Sequence, residues 1–178
     1  MNIKHIIQNR KLSSFKPLEQ RGRWRPGENP LRLVGLILCL EDVSELTLLK
    51  ELKAFFTGQG ATCFTCIYKR NAKMNIPQEL IEEDMVVLHR ESVNWYGLLR
   101  PGYADSFIHV PFDLLVNVSK EYFFTTTYLA SAAKATLKIG RYEWPISPYR
   151  VVLGAKRSDG DDAFFHLLES SLQLIKFK

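Results

Sequence analysis

Phe112-Asp-Leu-Leu-Val-Asn-Val118, a run from Ser119 to Lys134, and Ala135-Thr-Leu-Lys-Ile-Gly140 follow one another without interruption after Pro111. Two short apolar runs bracket a segment in which Phe124, Tyr128, Leu129 and Ala132 recur at helical spacing. Strand, helix, strand in that order is a βαβ unit, because parallel neighbours need a crossover that returns the chain to the same end of the sheet. Ser119 is the expected N-cap of the crossover helix.

The pattern repeats on either side. Arg32 to Leu40 is apolar on both faces, as a buried central strand should be. Asp42 and Glu45 then make a D-x-x-E capping pattern ahead of Leu46, Leu49, Leu52 and Phe56, and Gly58 or Gly60 closes the helix. Ala61 to Tyr68 is the second strand. Pro77 is placed to open a short helix over Gln78 to Glu83, and Asp84 to Leu88 is the third strand. Asn94-Trp-Tyr-Gly97 and Arg100-Pro-Gly102 are turn chemistry, and Ala104 to His109 is either one helical turn or a short strand. Tyr149 to Leu153 is the last strand. Asp159 or Asp161 caps a final helix carrying Phe164, Phe165, Leu168, Leu172 and Ile175. Alternating elements of this kind predict an α/β fold: a three-layer, doubly wound, mostly parallel sheet of about five or six strands with helices on both faces.

With 178 residues the chain suits a single α/β domain over 31–178, preceded by a basic arm or linker over 1–30. The net charge of +5 is uneven. Through Pro26, Lys4, Arg10, Lys11, Lys16, Arg21, Arg23 and Arg25 face Glu19 alone, which makes that segment +6 and leaves the remainder close to −1. Such an arm suits nucleic acid or an anionic surface; the bland alternative is a solvated leader resting on its own domain. The longest apolar run, Leu33 to Leu40, is too short to span a bilayer, and Ile6-Ile7 give way at once to Gln8-Asn-Arg-Lys11 without a signal-peptide core. The expected location is cytoplasmic.

Cys39, Cys63 and Cys66 suit a reducing compartment. Cys63-Phe-Thr-Cys66 has redox spacing but lies in a predicted strand, where residues three apart point to opposite faces. Neither a redox pair nor a zinc site follows from it.

In doubly wound sheets ligands bind beyond the carboxyl ends of the strands. That rule nominates Glu41 and Asp42 after the first strand and His89 and Arg90 after the third. Asn117, Ser119 and Lys120 follow the fourth, and Lys156, Arg157 and Ser158 the last. The ligand-binding candidates are Asn117, Ser119, Lys120, Glu41 and Asp42; the arm candidates are Arg10, Lys11, Lys16, Arg21, Arg23 and Arg25. The first crossover lacks G-x-G-x-x-G and no phosphate loop occurs, while carboxylates stand at the helix N-terminus where a phosphate would bind. No dinucleotide or other cofactor is expected. Glu41 and Asp42 could hold Mg²⁺ as in receiver domains, but that chemistry needs an aspartate where His89 stands. The four histidines show no ligand spacing, so no metal site and no catalytic residue is assigned.

Phe112 to Val118, the Ala132-to-Gly140 run and Asn94-Trp-Tyr-Gly97 together resemble a family of small Bacteroidetes proteins of unknown function. That family reads Phe-Asp-(Leu/Val)-Leu-Ile-(Asp/Asn)-Leu, then Ala-x-(Phe/Leu)-Lys-(Val/Ile)-Gly, with Asn-Trp-(Phe/Tyr)-Gly just upstream. The likeness covers roughly residues 90–140. Aspartate is frequent where Asn117 stands, which weakens any acid–base role there. The resemblance implies no activity, cofactor or catalytic residue. A looser, fold-level likeness links the Asp-Leu-Leu-Val-Asn strand to nucleotide-sugar-handling halves of glycosyltransferases, and this chain is about half the length of such enzymes.

Three readings of function follow. The first is a binding or interaction module without catalytic activity, with a protein partner or a second copy of the chain left open. The second is a sensor or enzyme holding a phosphate- or sugar-like molecule near Asn117. The third is nucleic-acid or anionic-surface binding through the arm.

Overall fold

In a computed structural model, residues 3–15, 30–142, 146–154 and 159–176 are described. Six parallel strands form one sheet: β1 (Leu33–Leu40), β2 (Thr62–Lys69), β3 (Met85–Leu88), β4 (Phe112–Asn117), β5 (Ala135–Gly140) and β6 (Val151–Val152). Their order is β3-β2-β1-β4-β5-β6. The chain winds outward from β1 in one direction, then returns to the other side of β1 and winds the opposite way. The order therefore switches between β1 and β4, the place where doubly wound sheets open a crevice.

Alternation along β1 explains the layers. Val34, Leu36, Leu38 and Leu40 pack with Leu46, Leu49, Leu52 and Phe56 of α2 (Glu45–Gly58) and with Phe164, Leu168 and Leu172 of α5 (Gly160–Lys176). Ile37 points the other way, into a second core with Phe107 of α3 (Asp105–Ile108) and Leu129, Ala130 and Ala133 at α4 (Phe124–Ala132). Helices that follow outward steps in opposite directions thus lie on opposite faces, as crossovers of a single hand require. The expected α/β fold with helices on both faces is what the chain adopts.

α1 (Ile3–Ser13) falls in the segment read as a basic arm or linker. Its reason lies in α4. Tyr122 to Ala133 contains no charged residue, and Phe124, Thr125, Thr126, Thr127, Leu129 and Ala130 are all buried. A helix buried round most of its circumference needs cover on its outer side as well as a sheet beneath. α1 supplies part of it. Leu12 is buried, the Phe15 and Tyr128 rings meet edge to face at 5.4 Å, and the buried Gln8 donates from Nε2 to the Tyr96 carbonyl at 2.8 Å.

Gly97 (φ +89°) ends the Asn94-Trp-Tyr-Gly97 turn that receives Gln8. Asn94 Oδ1 accepts from the Tyr96 and Leu98 amides, and Gly97 offers its carbonyl to Thr125 Oγ1. The turn joins α1 to the start of α4.

Several expected boundaries move. The crossover helix begins at Phe124 rather than Ser119, so Ser119 is not its N-cap; Phe123 is. The Pro77 helix shrinks to one 3-10 turn, Gln78–Leu80. Ala104 to His109 resolves as helical, in α3. The last strand keeps only Val151 and Val152, because Tyr149 turns its side chain across the sheet end instead of continuing the ladder. Cys63 and Cys66 lie in opposite cores, and all three thiols are free and buried. Burial pushes the Cys63 thiol up to about 11 and the other two higher still, which makes them poor nucleophiles.

Candidate ligand cleft at the strand ends

Asn117 ends β4 in register with Ile37 of β1 and Gly140 of β5. Its side chain is almost fully bonded. Oδ1 accepts from the Ser119 amide (3.1 Å) and the Ser119 hydroxyl (2.7 Å), and Nδ2 donates to the Tyr149 hydroxyl at 2.5 Å. Ser119 Oγ in turn accepts from the Cys39 amide at 2.9 Å. These bonds tie the end of β1 to the end of β4 across the switch point. The expected convergence of Asn117 and Ser119 is real, but their polar atoms hold the frame of the site.

Gly140 makes the next link. A Cβ there would lie 2.6 Å from Tyr149 Cγ and nearer still to Cδ2, so the phenol rests on the bare backbone of β5 as it reaches Asn117. Burial pushes the Tyr149 hydroxyl up to about 12, against the pull of its bonds to Asn117 and Thr127.

Above this floor opens a small cleft lined by Asn117, Ser119, Glu121, Tyr122, Thr127, Arg141, Tyr142 and Tyr149. Arg141 follows β5 and is 1% exposed. Its Nη1 donates to Asp161 at 3.0 Å, its Nη2 to the Gly160 carbonyl at 2.9 Å, and the guanidinium lies 4.7 Å over the Phe164 ring. Arg141 Nε is buried and finds no hydrogen-bond partner among the described residues, and the buried Tyr142 hydroxyl lies against the same guanidinium. An unpartnered guanidinium nitrogen in the wall of a cleft is uncommon, since buried polar groups in folded proteins nearly always find partners. Burial raises the Tyr122 and Tyr142 hydroxyls as well, so all three phenols of the cleft are neutral donors at physiological pH.

The remaining sequence candidates lie around this site without entering it. Lys120 reaches Asp161 at 3.0 Å and Glu45 at 3.8 Å. Glu41 pairs with Arg70, whose guanidinium also lies 4.9 Å over the Phe123 ring. Asp42 Oδ1 accepts from the Ser44 amide at 2.8 Å, and hydrogen bonds from the Ser44 hydroxyl and then its amide lower the Asp42 carboxyl below the usual range. The buried Glu45 folds back so that Oε2 accepts from the Glu41 amide at 2.9 Å, with the Asp42 amide at 3.4 Å. The amides that a phosphate would use in the first crossover turn are therefore engaged by the chain's own carboxylate. Asn117 and Ser119 line the cleft, Lys120 lies beside it, and Glu41 and Asp42 belong to the neighbouring turn. Arg10 and Lys11 are exposed in the last turn of α1, where cations complement the helix dipole. Lys16, Arg21, Arg23, Arg25, Lys156, Arg157 and Ser158 lie outside the described residues.

A family model matches residues 4–168, which reach from α1 through the cleft into α5. The chain belongs to a family of unknown function (DUF6913). No curated protein and no solved structure gives a match. The matched span takes in the packed N-terminal helix together with the sheet.

Sequence reading missed Arg141, Tyr142 and Tyr149 as a group. The signal was present in Gly140-Arg-Tyr142: a glycine and then a cation at the end of an apolar strand. Seeing its meaning required knowing that Tyr149 folds back over Gly140. Among the described residues no group of three His, Cys, Asp or Glu side chains could hold a metal ion, and no helix is long and apolar enough to cross a membrane.

Proposed function

We propose that this chain is a binding module for a small phosphate- or sugar-like molecule, seated beyond the carboxyl ends of β4 and β5. The observation that carries this reading is a buried donor, Arg141 Nε, without a partner among the described residues in the wall of the cleft, with the Tyr142 hydroxyl beside it. A bound acceptor oxygen would satisfy that nitrogen, and a ligand cleft is a setting in which such a group occurs. The cleft's position next to the switch in strand order supports the same reading. We further propose a cytoplasmic setting, where three unpaired thiols persist.

A thermal-shift panel of sugars, sugar phosphates, nucleotides and divalent metals tests this. A ligand at about a hundred times its Kd adds roughly 2.7 kcal/mol, which for a chain of this size raises Tm by roughly 5–10 °C. Tyr149→Phe, which removes the hydroxyl bonded to Asn117, should shrink that shift. A flat panel would count heavily against the cleft.

A further inference from the structure

β3 closes one side of the sheet, and its pairing with β2 fixes which of its backbone groups are left over. The Thr65 amide donates to the Asp84 carbonyl at 3.0 Å, with Thr65 in register with Met85. Alternation along a strand then turns the backbone groups of Val86 and Leu88 toward β2 and those of Met85 and Val87 outward. The Met85 amide is taken up by the Glu82 carbonyl at 3.0 Å. The Val87 amide and the Met85 and Val87 carbonyls have no hydrogen-bond partner among the described residues. At the other edge β6 is two residues long, and shortness is one way of blunting an edge. β3 offers four residues, Met85-Val-Val-Leu88, without a proline or a lysine among them.

Charge at the two ends of β3 separates the strands that could pair with it. Glu82, Glu83 and Asp84 precede the strand, and His89, Arg90 and Glu91 follow it. Glu82 and Asp84 pair with Lys53 of α2, while Glu83 and Arg90 are exposed. A second copy of the strand lying parallel would set acid beside acid. An antiparallel copy sets the acidic end of each strand beside the basic end of the other, and opposite charges across strands favour pairing. Centring that pair on Val87 would put Glu83 opposite Glu91 of the other copy. Centring it on Val86 puts Glu82 opposite Arg90 and Glu83 opposite His89. The second register also brings each free Val87 amide to the Met85 carbonyl of the other copy.

We propose that the β3 edge is the contact of a two-fold dimer of this chain, in which two sheets join antiparallel through β3 about an axis at Val86. The same surface serves both copies, so assembly closes at two. Four residues from each copy make a small contact, which places the dimer in the weak, reversible class.

Sedimentation equilibrium of the full chain, from roughly 10 μM to 1 mM where weak association titrates, tests this directly. The mass should climb from 20.5 kDa toward twice that value and no further. Val87→Pro removes an outward amide and leaves the bonds to β2 in place, so it should hold the chain at the monomer mass. Arg90→Glu sets acid against acid twice in each dimer and should weaken association by about ten-fold or more. Adding Glu82→Arg to Arg90→Glu exchanges the two charges and should restore the dimer, which a merely structural role for either residue would not do. A circular-dichroism melt of each variant confirms folding. A monomer mass over the whole range overturns the proposal. So does growth past two copies, because the contact would then be open rather than two-fold. A dimer that neither Val87→Pro nor Arg90→Glu weakens overturns it as well, since the copies would then meet elsewhere.

Discussion

At the scale of single residues, the site depends on one missing side chain. Gly140 leaves room for Tyr149, and Tyr149 reaches Asn117 only through that gap. Gly140→Ala drives a methyl group into the phenol ring. Overpacking of this kind costs roughly 1–3 kcal/mol, and urea unfolding should show that loss alongside changed tyrosine fluorescence. Lys138 is a second test. It is buried, its Nζ finds the Ser131 carbonyl at 3.3 Å, and burial lowers its ammonium to about 8 from an ordinary 10.5. Between those two values the unfolded chain binds more protons than the folded one, so this group makes stability rise with pH over that window. Lys138→Met should raise stability at pH 7 by roughly 1–3 kcal/mol and flatten the pH dependence from 8 to 10.5. Tyr149 acts in the opposite sense. Its folded pKa stands above the unfolded value, so its contribution is intact below pH 10 and is lost as pH climbs toward 12. Alkaline melts of Tyr149→Phe should lack that loss.

At the scale of elements, α1 and α4 stand or fall together. The uncharged run from Tyr122 to Ala133 marks a helix wanting cover on both sides, and that much is written in the sequence. Which segment supplies the cover is not, because α1 shows only isolated apolar residues and buries just Gln8 and Leu12 closely. Leu12→Ala removes most of that anchor and should cost about 2–4 kcal/mol. Hydrogen exchange should show the amides of α4 losing protection in that variant while those of β1 keep it. Equal loss in both would mean that α1 supports the whole sheet rather than α4. The βαβ reading of Pro111 to Gly140 held for the same physical reason that fixed the other strands: continuous apolar runs survive only where both faces are covered. Ser119 misled because a serine at a strand end fits an N-cap pattern equally well, and its real partner, the Cys39 amide, is eighty positions away.

For the molecule as a whole, the order β3-β2-β1-β4-β5-β6 places the ends of β4 and β5 beside the switch and leaves the cleft open there. Alternating strands and helices made the fold class legible. The site was legible only in outline, through Asn117 and Ser119, because its other walls come from Arg141 and Tyr142 and from Tyr149 of the following loop, which folds back over Gly140. The most direct test of a ligand site in this cleft is a ¹⁵N–¹H NMR titration of the full chain with the compound that gives the largest thermal shift. The amides of residues 117–122, 127, 140–142 and 149 should move together and saturate with one Kd, while α1 and the Asn94–Gly97 turn stay still. Saturable shifts centred anywhere else, or none at residues 140–142, would contradict the account.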